Sequence, residues 1–314
     1  MNDIKRILLA AAIAVPSLLS IQAQDTTAAA VSENSPIVIE PLFEYPVAPD
    51  SIGTLKEKST WVAERFWDGL DIKDKQTVDQ NALNHAMGVF VELTRWADSD
   101  AVIKTLDNLM RSLTANPTLS LQFTKAAEEK LYGPRAQYWS DELYLKFIDN
   151  LLKTKKLKKE RTLRYQRHAD LLRNSLVGGK PAEFDYTLPS GTTAHYRPDG
   201  VLTVIEFGDP DCDDCRFAKL KMETDVEFSE LVDKGKVNVL FIIPNKNEGW
   251  PEKLSGFSTK WHTGANDEID DLMDLRTTPS LYVVDEEGKI AAKNIPVTTA
   301  MSIVKAKVRE KEKN

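Results

Sequence analysis

The chain has little sulfur and little histidine, and each shortage narrows its chemistry. Its 314 residues hold two cysteines, Cys212 and Cys215, and four histidines. A closed zinc site needs four ligands. His85, His168, His195 and His262 are scattered without ligand spacing and lie far from the cysteines, so no metal is expected. Positive charge is not in surplus: 41 Lys and Arg stand against 48 Asp and Glu, a net charge of −7. That balance argues against general nucleic-acid binding, which needs a basic footprint. Beyond the first twenty residues there is no long apolar run, so no membrane span is expected. No internal repeat of fixed period is visible.

The one apolar run sits at the start. Lys5 and Arg6 precede Ile7 to Leu19, and Ile21-Gln22-Ala23 supplies a small residue for cleavage before Gln24. This pattern predicts a secretion signal over residues 1–23, with an uncleaved anchor as the alternative. The absence of a cysteine after the cleavage point excludes a lipid anchor through sulfur. Cleavage removes Asp3, Lys5 and Arg6, a net +1, and takes the charge from −7 to −8. In an oxidising compartment a close cysteine pair forms a disulfide more readily than a metal site.

About 290 residues remain, which suggests two domains. Residues 24–50, rich in Thr, Ala, Ser and Pro, read as an extended leader that drapes or stays mobile. Residues 51–176 read as an all-α domain. Leu83, Met87, Phe90, Val91 and Thr94 share one helix face. Val102, Ile103, Leu106, Leu109, Met110 and Leu113 repeat the spacing, as do Leu143, Tyr144, Phe147, Ile148, Leu151 and Leu152. Asn116-Pro117 and Gly133-Pro134 interrupt the helices, and Ser140-Asp141-Glu142 predicts a capped start. The basic run from Lys153 to Lys159 is expected to be a solvated turn. Trp61, Trp67, Trp96 and Trp139 are expected in the core.

After Gly178-Gly179 strands alternate with helices. Residues 184–188, 201–207 and 237–243 read as strands, and 212–233 and 267–275 as helices. Leu281 to Val284 and Lys289 to Ala291 flank an Asp-Glu-Glu-Gly turn as a hairpin, and residues 298–311 close with a helix. The order predicts an α/β fold, a mixed central sheet with helices on both faces.

The strand Val204 to Phe207 runs through Gly208-Asp209-Pro210-Asp211 into Cys212-Asp213-Asp214-Cys215 and a helix. Thiols three residues apart on a first helical turn share a face and can close a local disulfide. So small a loop adds little stability. A redox pair is therefore the leading reading, and an inert structural disulfide is the alternative.

Three features together resemble the thioredoxin superfamily over about residues 177–314. They are the strand, Cys212-x-x-Cys215 and helix; Thr278-Pro279 ahead of the strand at Leu281, where the family holds a cis-proline; and Glu206, six residues before Cys212, where the family has a buried acid. Gly179-Lys180-Pro181-Ala182-Glu183-Phe184, with Leu188-Pro189-Ser190-Gly191, is similar to the entry of its TlpA-like, extracytoplasmic branch. The helical part, with Phe43-Glu44-Tyr45-Pro46, Phe66-Trp67-Asp68 and Lys130-Leu131-Tyr132-Gly133-Pro134, resembles an uncharacterised module that precedes such domains in secreted Gram-negative proteins.

The resemblance implies thiol–disulfide exchange in the periplasm, without a cofactor. Cys212 would attack, Cys215 would resolve the mixed disulfide, and Glu206 would relay a proton. Thr278 and Pro279 would bind an extended substrate segment. For Glu206 the plainer alternative is an edge or ion-paired strand residue. The implied partners are a protein disulfide and an unidentified electron donor, with no nucleic acid and no stable membrane span.

The sequence departs from the family between and before the cysteines. Asp211 replaces the usual Trp, and Asp213-Asp214 the common Gly-Pro; with Asp209 this places four carboxylates within six residues. Their repulsion of a thiolate opposes the helix dipole and predicts a reductant rather than a strong oxidant. Asp209 also stands where a peroxiredoxin has Thr, which argues against peroxidase chemistry, and glutathione transfer would not need the second cysteine. The competing function is a non-catalytic binding scaffold with a structural disulfide.

Overall fold

The computed structural model describes residues 40–72, 77–154 and 156–313. The expected signal, the leader up to residue 39 and Lys155 of the basic run lie outside them.

Among the described residues six helices form the first body: α1 (Leu55–Arg65), α2 (Gln80–Thr94), α3 (Ser99–Leu113), α4 (Pro117–Leu131), α5 (Asp141–Lys153) and α6 (Lys159–Arg173). Their starts are set by polar side chains that satisfy first-turn N–H groups. Thr54 and Glu57 make a reciprocal capping box, Asp79 accepts from Ala82 N, and Asn116 accepts from Leu119 N with Pro117 beginning the helix. Ser140 occupies the N-cap of α5 but makes no capping bond with its side chain.

The apolar faces meet in one core, in which Phe66, Trp67, Phe90 and Phe123 lie ring against ring at 4.9–5.5 Å. The last part of the leader belongs to this body. Phe43 packs edge-on against Phe66 at 5.5 Å, Tyr45 stacks on Phe66 at 5.1 Å, and the Tyr45 hydroxyl bonds His85 Nδ1 at 3.0 Å. Two core expectations fail. Trp96 is 48% exposed and lies beside Arg95, and Ile103 is 40% exposed, one position off the buried stripe of Val102, Leu106 and Leu109. The described part of the basic run is the exposed turn between α5 and α6, with Leu157 tucked against the core.

The second body follows as β1 (Phe184–Thr187), β2 (Thr193–Tyr196), β3 (Leu202–Phe207), α7 (Asp213–Thr224), α8 (Val226–Asp233), β4 (Val237–Ile243), α9 (Trp250–Lys253), β5 (His262–Ala265), α10 (Ile269–Leu272), β6 (Ser280–Val284), β7 (Ile290–Lys293) and α11 (Val297–Lys313). The sheet order is β2-β1-β5-β4-β3-β6-β7. Strand β3 pairs parallel with β4 and antiparallel with β6, so it is central. Alternation along β3 sends Leu202 and Val204 into the layer under α7, α8 and α11. Ile205 and Phe207 face the other layer, with Ile269 and Met273. Glu206, even-numbered, falls on the α7 side by the same period of two.

Three readings of this body need correction. The helix expected over 212–233 is two helices, because Asp225 ends α7 in an extended conformation and caps α8 through its bond from Phe228 N at 2.9 Å. The helix expected over 267–275 is the single turn α10. Strands β2 and β5 were not foreseen; each has four residues and little apolar alternation. Among the described residues, no helix is long and apolar enough to cross a membrane.

Candidate redox site

Strand β3 leads into Gly208, whose N–H donates to Ile242 O at 3.1 Å. A Cβ on this glycine would lie 2.9 Å from Cys215 Sγ and 3.4 Å from the Phe241 ring, so the sulfur rests directly on the backbone. Asp209 then turns the chain: its carboxylate accepts from Asp211 N at 2.9 Å and its carbonyl from Cys212 N at 3.0 Å. Cys212 is the N-cap of α7 with extended backbone and no capping bond from its side chain. There a thiolate meets the positive end of the helix dipole.

Both cysteines are free thiols, Cys212 half-buried and Cys215 buried at 1% exposure. Burial first, and a hydrogen bond with Cys212 second, push the Cys215 thiol well above its ordinary range. The Thr278–Pro279 peptide is cis, and the Thr278 carbonyl accepts the Cys212 thiol at 3.9 Å. Cys212 and Thr278 thus meet from segments 66 residues apart.

Glu206 is fully buried on the central strand, opposite Phe241 of β4 and Leu281 of β6. Neither carboxylate oxygen has a hydrogen-bond partner among the described residues. It is therefore neither an edge residue nor an ion-paired one. Burial pushes its pKa from the ordinary 4.5 to about 8. Its charge also raises the Cys215 thiol, which places the two groups within electrostatic reach.

Two cations absent from the sequence argument stand beside the cysteines. Arg216 pairs with Asp213 and also donates to Asp211 O at 3.1 Å, and Lys253 of α9 pairs with Asp211. Both pairs are exposed, so each contributes little. They nonetheless offset half of the four carboxylates that were expected to act uncompensated. Arg216, one turn past the N-cap, was readable as a neighbour of Asp213. Lys253 lies 42 residues away from Asp211 and carried no local signal. Gly208 was readable as a glycine between a strand and a cysteine.

A family model described as a domain of unknown function (DUF5106) matches residues 19–175. A thioredoxin-like protein from Bacteroides caccae has a similar structure, with a TM-score of 0.70 at 18% identity, over 84% of this chain and 98% of that one. That likeness shows a shared fold spanning helices and sheet. A conserved protein of unknown function from Bacteroides fragilis is 28% identical, with a TM-score of 0.39, over 41% of this chain and 98% of its own. The thioredoxin domain of a thiol-disulfide oxidoreductase from Bacteroides vulgatus is 19% identical, with a TM-score of 0.36, over 41% and 96%. No curated protein matches the chain. The sheet body is thioredoxin-like, the helical body precedes it, and with half of its residues matched by the family model the protein belongs to the family defined by that domain of unknown function.

Proposed function

We propose that the chain is an exported thiol–disulfide oxidoreductase of the extracytoplasmic, TlpA-like kind that reduces protein disulfides in the periplasm. The observation that carries this reading is the meeting of a half-buried Cys212 thiol with the Thr278 carbonyl ahead of cis-Pro279, above a buried Cys215. Cys212, as thiolate, attacks a substrate disulfide. One substrate sulfur leaves and takes up a proton, and a mixed disulfide forms. Cys215 then gives its proton to Glu206 and attacks the Cys212 sulfur, which expels the second substrate thiolate. Two electrons have passed to the substrate, and Cys212 and Cys215 are joined until an external dithiol donor reduces them.

Glu206 fits the relay because a pKa of about 8 leaves about a tenth of it ionised at pH 7, able to accept a proton and return it. The reductive direction is supported by the carboxylates around Cys212, and Cys215, a thiol held neutral by burial, adds no thiolate stabilisation that would oppose it.

Insulin reduction with dithiothreitol as the electron source tests this. The wild-type chain accelerates precipitation of the insulin B chain, and Cys212→Ser does not. Equal behaviour of the two proteins rejects the enzyme and leaves a scaffold.

A further inference from the structure

The loop that ends against Cys212 is tied at its beginning to the helical body by buried charge. Arg276, its side chain 5% exposed, pairs with Asp141 at the start of α5. Within the loop it binds Asp274 through Nε at 3.2 Å and Nη2 at 2.7 Å. Lys293 of β7, 6% exposed, reaches Asp141 Oδ2 and Asp274 Oδ2, each at 2.7 Å. Two carboxylates face two cations, so the set is neutral although nearly dry. Burial pushes the Asp274 carboxyl up, but Lys293 and Arg276 outweigh it and hold that group below its ordinary range.

The helical body contributes more than one charge. The Arg276 guanidinium lies 4.4 Å from the Tyr132 ring centroid and 5.3 Å from that of Trp139, both in the turn between α4 and α5. Ser175, just after α6, accepts from Asp274 N at 3.1 Å. From the sheet side, the Tyr282 hydroxyl donates to Asp274 O at 2.7 Å.

The cis peptide begins two residues after Arg276. Beyond Arg276 the loop bonds to the first residue of β6 and to itself: Ser280 Oγ donates to Thr277 O at 2.6 Å and Thr277 Oγ1 to Pro279 O at 2.8 Å. Thr277 and Thr278 are exposed. Their placement therefore depends on both ends of the loop, on buried Ser280 where β6 pairs with β3 and on where the chain is held at 274–276. Removing one member of a buried ion set leaves an uncompensated charge, which such a segment relieves by moving.

We propose that the helical body is part of the redox site: through Asp141 it holds Arg276, and Arg276 fixes the Thr278–Pro279 edge on which a substrate segment lies. The proposal rests on the oxidoreductase reading for its purpose, but not for its test. Asp141 and Arg276 are positioning residues; neither touches a sulfur.

The experiment compares the full chain with Asp141→Asn, Arg276→Lys and, as control, Arg167→Gln. Arg167 pairs with Asp271 across the same two bodies but in solvent, with side chains 58% and 60% exposed. Hydrogen exchange is followed by peptide across residues 275–281, α7 and β3, and insulin reduction is measured as KM and kcat. In Asp141→Asn and Arg276→Lys, exchange at 275–281 quickens about 2- to 30-fold, as expected for loss of one coupling contact. KM rises by a similar factor while kcat, exchange in α7 and β3, and the control stay close to wild type.

Unchanged loop exchange in both variants overturns the proposal. So does loosening of α7 and β3 to the same degree, or equal loosening in Arg167→Gln. Arg276→Lys, which keeps the charge, decides the matter if Asp141→Asn does not fold. A wild-type chain that fails to reduce insulin rejects the oxidoreductase reading, while the exchange data still decide whether the clamp exists.

Discussion

Replacing Glu206 with Gln converts the buried acid into a group that cannot ionise, and the consequence is a change in how stability depends on pH. Glu206 has an ordinary pKa of 4.5 when the chain is unfolded and about 8 when folded, the cause being burial without a hydrogen-bond partner. Its folded-state pKa is raised, so its contribution is fully present below pH 4.5 and is lost as pH rises through 8. Between those limits the folded chain holds a proton that the unfolded chain has released. The wild type therefore loses about 1.4 kcal/mol per pH unit from this group, close to 5 kcal/mol over the window from 4.5 to about 8.

That loss is large against a typical domain stability of about 5–15 kcal/mol. Urea unfolding of the reduced wild type and of Glu206→Gln at half-unit steps from pH 4 to 9 measures it. The amide differs from the acid by a constant, and the other titrating groups are common to both proteins. Hence the stability of the wild type minus that of the variant falls along the stated slope between about pH 5 and 8 and is level on either side. Parallel curves would show that Glu206 ionises normally in the fold and would remove the physical basis for its proton relay.

Two further outcomes follow from the packing and electrostatics of the same site. Gly208→Ala places a methyl group 2.9 Å from Cys215 Sγ and 3.4 Å from Phe241. Overpacking of this kind costs about 1–3 kcal/mol, so urea unfolding should shift accordingly and insulin reduction should fall as the resolving sulfur is displaced. The Cys212–Cys215 couple, equilibrated against defined thiol buffers and read by tryptophan fluorescence, should have a reduction potential more negative than about −230 mV. A value on the oxidising side of about −200 mV, beyond the glutaredoxin range, would contradict the reductant assignment.

The placement of the cysteine pair at the start of a helix was legible because its parts are local. A strand, a glycine, two cysteines and a helix follow one another within about twenty residues, and period-two alternation alone puts Glu206 on the face beneath α7. Long strands with continuous apolar runs, such as β4 from Val237 to Ile243, were legible for the same reason. The four-residue strands β2 and β5 were not, since pairing with β1 for the one and chiefly with β4 for the other supplies what their own residues lack. The Asp cluster was visible, but half of its compensation was hidden: Arg216 sits one turn away, whereas Lys253 arrives from α9 after a further strand and helix.

Asp141 shows where local reasoning stops short of function. Ser140-Asp141-Glu142 satisfies the rule for a helix start, and an acid in the first turn is favourable there whatever else surrounds it. A helix start does form at that point, yet Ser140 makes no capping bond, and the carboxylate of Asp141 is taken by Arg276, 135 residues further on, and by Lys293. A residue that fulfils a local rule gives no sign of a second, distant partner, because the local rule already accounts for its presence. The buried set of Asp141, Asp274, Arg276 and Lys293 is assembled only when the helical turn, the loop and β7 come together. Its dependence on both bodies is what makes the helices relevant to a cysteine pair that none of them contains.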